Sequence, residues 1–81
     1  LEQDVRKMLD EVLHLNGRSA SFDAATPLLG AVPELDSMGV VALITQIEER
    51  FGVTVDDEEI DGSIFATLGD LTAFVQGKVS A

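Results

Sequence analysis

Apolar residues recur along this chain at helical rather than strand spacing. Val5, Met8, Leu9, Val12 and Leu13 fall at i, i+3, i+4, i+7 and i+8, one face of a helix, while Arg6, Lys7, Asp10 and Glu11 take the other. Asn16-Gly17 follows as a helix stop, so the pattern predicts a first helix over residues 2–15. A second stripe of Val40, Val41, Ile44, Ile47 and Phe51, widened by Leu43, predicts a helix from Ser37 to Arg50. Asp36 is its expected N-cap and Gly52 its end. Asp56-Asp57-Glu58-Glu59-Ile60 reads as a short acidic helix, its acids at the end the macrodipole favours, with Gly62 as the stop. Thr67 caps a last helix whose apolar face is Leu68, Leu71, Phe74, Val75 and Val79. Val53-Thr54-Val55 is too short an alternation to make a strand.

Residues 16–35 form a long connection punctuated by Thr26-Pro27 and Val32-Pro33. Phe22, Leu28, Leu29 and Leu35 are expected to anchor it on the helices, with a short helical turn near 27–30. A connection of this length is uncommon in a small domain and tends to be functional. The expected fold is all-α: a small four-helix bundle, three helices long and one short, with a long loop between helices one and two. Residues 1–81 make one domain in this reading. Phe51, Ile44, Val12, Leu71 and Phe74 are expected to face one another in its core.

Composition sharpens this picture. A chain of 81 residues buries roughly 60–65% of its unfolded surface, a modest core. At 46% hydrophobic residues it is not a disordered segment. It has no cysteine, hence no disulfide framework and no thiolate metal site, which is compatible with a reducing cytoplasm. No apolar run reaches membrane-spanning length, and the N-terminus lacks a signal pattern; Leu1 in place of Met reads as a trimmed start. A cytoplasmic monomer is expected. Fifteen acids against five bases exclude phosphate neutralisation, and with it nucleic-acid binding. Between Glu34 and Asp61, nine acids face Arg50 alone, a net charge of −8 that predicts a basic partner.

That acidic stretch encloses Ser37, a hydroxyl at a helix start beside a carboxylate. Nothing near it in sequence activates it as a nucleophile. His14, the only histidine, makes neither a metal site nor a triad and reads as an ordinary side chain near the end of helix one. Asp57, Glu59, Asp61 and Gly62 imitate the start of a calcium loop, but its twelfth position is Leu68 rather than Glu. A serine that cannot activate itself but is presented to another protein reads as an attachment point.

Glu34-Leu35-Asp36-Ser37-Met38, then Ile47-Glu48-Glu49-Arg50-Phe51-Gly52-Val53, then Val55-Asp56-Asp57-Glu58-Glu59, at this spacing, resemble the acyl carrier protein family. The resemblance covers nearly the whole chain and is strongest from residue 34 to 75. That family is a four-helix bundle whose second helix starts at the serine of an Asp-Ser-Leu-type motif; Met38 here replaces the leucine. The resemblance implies that a phosphopantetheinyl transferase joins Ser37 to the 4′-phosphopantetheine of coenzyme A, whose thiol then holds acyl groups as thioesters. It implies a carrier, not an enzyme, with no catalytic residue and no metal of its own. Asp36 serves as cap and transferase contact, and Met38 flanks the arm. Glu48 and Glu49 match docking positions for acyl-loading and acyl-using enzymes with basic surfaces, joined by Met38 and Val41.

The chain also departs from the family. Gly39 and Ala42 stand where acids are usual, which leaves the front of helix two less acidic. They are expected to form a low-profile patch for a dedicated pathway, such as polyketide, lipid-modification or cell-surface export chemistry, rather than housekeeping fatty-acid synthesis. Alanine at position 39 is expected to add helix stability. An aminoacyl or peptidyl carrier is the alternative within the class, although Leu35-Asp36 is unlike the Gly-Gly-acid or Gly-Gly-His of those proteins. An unmodified acidic helical adaptor is the alternative outside it.

Overall fold

Leu15 decides where the first helix stops. In the computed structural model, which describes residues 1–80, α1 runs Glu2–Leu13 rather than to residue 15. Leu15 lies seven residues past Met8, so a continued helix would carry it to the edge of the apolar stripe beside Glu11 rather than to its centre. Instead His14 turns left-handed, at φ 56°, and both its N–H and that of Leu15 close on the Asp10 carbonyl. Leu15 then drops into the core at 1% exposure, a burial worth about 1.5–3 kcal/mol. The Asp10 carboxylate holds the turn from outside. It accepts from Gly17 N–H at 2.9 Å, Ser19 N–H at 3.3 Å and Ser19 Oγ at 2.8 Å.

The connection that follows contains one 3₁₀ turn, Arg18–Ser21. Leu28, Val32 and Leu35 are buried anchors, whereas Leu29 is exposed. The helical turn expected at 27–30 is reduced to one turn shifted to 28–32, in which the Leu28 carbonyl accepts the Ala31 and Val32 N–H groups; Gly30, at φ 88°, stops it there, and the preceding N–H groups hydrogen-bond outward. Leu28 and Leu29 N–H donate to the Ala66 and Phe65 carbonyls, and Leu68 and Gly69 N–H donate back to Thr26 and Ala24. Gly69 permits this approach: a Cβ there would stand 2.8 Å from the Ala24 carbonyl oxygen.

The second helix, α2, runs Ser37–Phe51 and ends at Gly52, at φ 65°. Its buried face is Gly39, Leu43, Ile44 and Ile47. Leu43 therefore sits at the centre of the stripe, and Val41, expected inside, is exposed. The short acidic α-helix expected at 56–60 is instead a 3₁₀ turn, Asp57–Glu59, followed by a second, Gly62–Phe65. Glu59 Oε2 takes the Asp56 N–H at 2.8 Å and Asp61 Oδ1 takes that of Ser63 at 2.9 Å, so an acidic side chain caps the N-terminal end of each turn. The final helix, α3, runs Leu68–Ser80, and Thr67 Oγ1 accepts the Asp70 N–H at 3.1 Å as its cap.

The described residues thus form an all-helical fold of three α-helices and three 3₁₀ turns, with an isolated β-bridge between Pro27 and Thr67. The core joins Val5, Met8 and Leu9 of α1 to Leu43 and Ile47 of α2 and to Leu68, Leu71 and Val75 of α3. Of the five residues expected to meet there, Ile44 and Leu71 are buried, whereas Val12, Phe51 and Phe74 pack from its edge, half-buried. Phe65 takes the large central place, at 1% exposure. No described helix is long and apolar enough to cross a membrane.

Candidate functional site

The N-terminus of α2 is built by Asp36. Its backbone is extended, at φ −105° and ψ −169°, and its Oδ1 accepts the Gly39 N–H at 2.9 Å. Such a cap contributes about 1 kcal/mol. Val40 N–H closes on the Asp36 carbonyl at 2.9 Å. The N–H groups of Ser37 and Met38 are left at the open end of the helix, where the dipole favours an anion. Ser37 is exposed, and among the described residues its hydroxyl joins no side-chain hydrogen bond. Among the described residues no side chain hydrogen-bonds this hydroxyl as a general base would, and the helix end presents it to solvent.

Gly39 is buried, contrary to its expected place in an exposed patch. A Cβ there would lie 2.8 Å from the Glu34 carbonyl oxygen and 3.0 Å from Leu13 Cδ2. The absent side chain lets the loop before α2 and the end of α1 close onto the first turn of α2. Alanine at 39 would collide with backbone, so the expected gain in stability is replaced by a loss.

On the outer face, Met38 and Val41 are 77% and 64% exposed, an uncharged apolar strip beside Ser37. Ala42 is half-buried, and Thr45 donates its hydroxyl to the Val41 carbonyl at 3.1 Å. The helix gains acids only near its far end. Glu49 is exposed there, but Glu48 is engaged: its Oε2 accepts the Val55 N–H at 2.9 Å and ties down the chain after α2. That internal duty has no signature in the spacing of residues, because it depends on a turn seven residues away.

Bases are largely spent on ion pairs. Arg18 pairs with Glu34, Arg50 with Glu11, Lys78 with Glu59 at 2.7 Å, and Arg6 with Glu2 at 3.9 Å. The hydrogen bond from Arg18 holds the Glu34 carboxyl below the usual glutamate range, and Lys78 does the same to Glu59. Asp36, Glu49, Asp56, Asp57, Glu58 and Asp61 remain exposed, so the acidic excess predicted from sequence is on the surface. The imitation calcium loop does not converge, since Glu59 faces Lys78 and Asp61 caps Ser63. Among the described residues no acid or histidine cluster is placed to hold a metal ion.

Comparison with known proteins bears on this site. The model of a family described as the phosphopantetheine attachment site matches residues 3–75. The chain resembles the solution NMR structure of a holo acyl carrier protein from Nitrosomonas europaea, with a TM-score of 0.92 and 48% identity, covering 99% of this chain and 96% of that one. An acyl carrier protein of Helicobacter acinonychis is 29% identical over 77 residues, 94% of this chain and 91% of its own length. One of Beutenbergia cavernae is 32% identical over 44 residues, and there the chain spans about half the length of its relative, 51%.

Proposed function

The chain belongs to the acyl carrier protein family, the family of the phosphopantetheine attachment site, and on that premise we propose that Ser37 is the attachment residue of a single carrier domain spanning residues 1–81. Members of the family are carriers rather than enzymes, and 4′-phosphopantetheine is their covalent prosthetic group. The observation that carries the assignment is Ser37 itself: exposed, first in α2, and set beside a cap formed at 2.9 Å. The site fits the group, because the free N–H groups of the first turn suit a phosphodiester. When bound, the group supplies a thiol that holds an acyl chain as a thioester.

In the attachment reaction Ser37 Oγ forms a bond to phosphorus and its proton passes to a base of the transferase. The pyrophosphate P–O bond of coenzyme A breaks, and adenosine 3′,5′-bisphosphate leaves. Asp36 fixes the first turn so that the hydroxyl stands clear of the surface. Met38 and Val41 offer apolar contacts to the transferase and to acyl-handling enzymes, while Glu49 and the acids at 56–61 steer their basic surfaces. The carrier works as a monomer in the cytoplasm, where coenzyme A and the transferase meet it.

The partners belong to a dedicated pathway. This is favoured by the outer face of α2, which is uncharged from Met38 through Thr45. Because Gly39 is buried, a charge at that position is no test; Ala42→Glu and Thr45→Glu place acids on the surface instead. These variants are expected to be loaded faster by fatty-acid-synthase enzymes than the wild type. Equal loading removes the pathway assignment and leaves the carrier assignment standing. The carrier assignment itself is tested by loading acyl groups from acyl-coenzyme A with a broad-specificity transferase. The acyl mass should be released by hydroxylamine, which cleaves thioesters. The phosphopantetheine mass, held by a phosphodiester, should remain; an acyl mass that hydroxylamine does not remove contradicts the assignment.

A further inference from the structure

Arg18 ties the two ends of the long connection together. Its Nε and its backbone N–H both donate to the Leu15 carbonyl, at 3.0 and 3.2 Å, while its Nη2 pairs with Glu34 Oε2. Leu15 is buried just past the end of α1, so one end of this tie is fixed in the core. The other end lies just before Ser37. Glu34 does two things there. Its carbonyl oxygen lies over Gly39, 2.8 Å from where a Cβ would stand, and its carboxylate meets Arg18 through Oε2 alone. Oε1 is buried and has no hydrogen-bond partner, the one such side-chain atom among the described residues. A carboxylate held this way depends on its counter-ion, because an uncompensated charge is costly away from water.

Without Arg18 the Glu34 carboxylate gains by turning out to water, and the carbonyl over Gly39 belongs to the same residue. Gly39 is also where the Asp36 cap closes, with Ser37 inside that turn. The tie therefore bears on where the Ser37 hydroxyl stands more than on whether the chain folds. The Arg18 and Glu34 side chains are 52% and 34% exposed, and a pair so exposed adds little to overall stability. We propose that Arg18 is a positioning residue for phosphopantetheine attachment, holding the turn that carries Ser37 in place through Glu34. This rests on Ser37 being the attachment residue. The charge of Arg18 acts in the opposite sense, since it repels a basic transferase. Its removal eases docking if steering is all that changes, so a loss of turnover without a loss of docking isolates positioning.

The test follows phosphopantetheine transfer from coenzyme A to the full chain by a broad-specificity transferase, by intact mass against time over a range of carrier concentrations. Circular dichroism checks that each variant is folded. Arg18→Met is expected to lower kcat about tenfold while KM for the carrier stays within about twofold. Adding Glu34→Gln to Arg18→Met removes the stranded charge and should recover most of that loss, which a general loosening of the connection would not allow. Arg18→Lys, which keeps a cation beside Glu34, should also retain most of the rate. Arg50→Met breaks a comparably exposed pair at the far end of α2 and should leave kcat within about twofold of the wild type. An undiminished kcat in Arg18→Met, an equal loss in Arg50→Met, or a loss that neither Glu34→Gln nor Arg18→Lys recovers overturns the positioning role and leaves attachment intact. A wild type that gains no phosphopantetheine mass on Ser37 overturns both.

Discussion

The two ends of α2 are held by different forces. At the front, Gly39 lies under the Glu34 carbonyl and against Leu13, and the Asp36 cap completes a turn fixed by close packing and backbone geometry. At the back, side chains do the holding. Glu48 takes the Val55 N–H, Arg50 pairs with Glu11, and Arg50 Nε donates to Gln46 Oε1 at 2.9 Å. Packing of the first kind does not respond to pH or salt, whereas charged ties of the second kind do, and the front carries such ties only in the Asp36 cap and the Arg18–Glu34 pair beside that packing. The attachment serine sits at the end where close packing underlies the charged contacts, and the other end depends more on charged side-chain ties.

The largest effect separating the two ends is expected from Gly39→Ala. Its Cβ meets backbone rather than a movable side chain, so overpacking should cost about 1–3 kcal/mol in urea unfolding. A stabilised variant would show the first turn to be loose. Next, Glu48→Ala leaves the Val55 N–H without its acceptor and should cost about 1 kcal/mol. Glu48→Gln keeps an acceptor oxygen and should recover most of that loss; equal losses in the two variants would make the role one of charge.

These two positions also mark the limit of what the sequence discloses. Asp36, Gly52 and Thr67 were legible because a cap is decided by neighbours in sequence. The all-helical class was legible because the apolar spacing of α1 and α3 is regular. Gly39, Leu15 and Phe65 were not, because each depends on what a distant segment brings near. Leu15 reaches the core beyond a left-handed turn at His14, and Phe65 lies in a turn too short to show a period. Val41 fits the stripe of α2 by spacing alone, but that side of the helix faces solvent.

A smaller effect belongs to pH. The Arg50 hydrogen bond holds Glu11 below its ordinary value of 4.5. A depressed carboxyl contributes stability that is present above that ordinary value and is lost as pH falls through the lowered one. Acid should therefore loosen the back of α2 first. Hydrogen exchange should show the amides at 48–52 losing protection before those at 40–44, and simultaneous loss would erase the distinction between the ends. The smallest effect on stability is expected from Glu49→Lys, within about 0.5 kcal/mol. It should instead lower the on-rate of a basic transferase and flatten its salt dependence. An unchanged salt slope reduces Glu49 to solvated surface.

The presentation of Ser37 at the rigid end of α2 is tested most directly by site-resolved mass spectrometry of wild type and Ser37→Ala after incubation with coenzyme A and a broad-specificity transferase. Expected is one phosphopantetheine adduct, located on Ser37 in the wild type and absent from the alanine variant, with the helical circular dichroism of both unchanged. An adduct on the alanine variant, or none on the wild type, contradicts it.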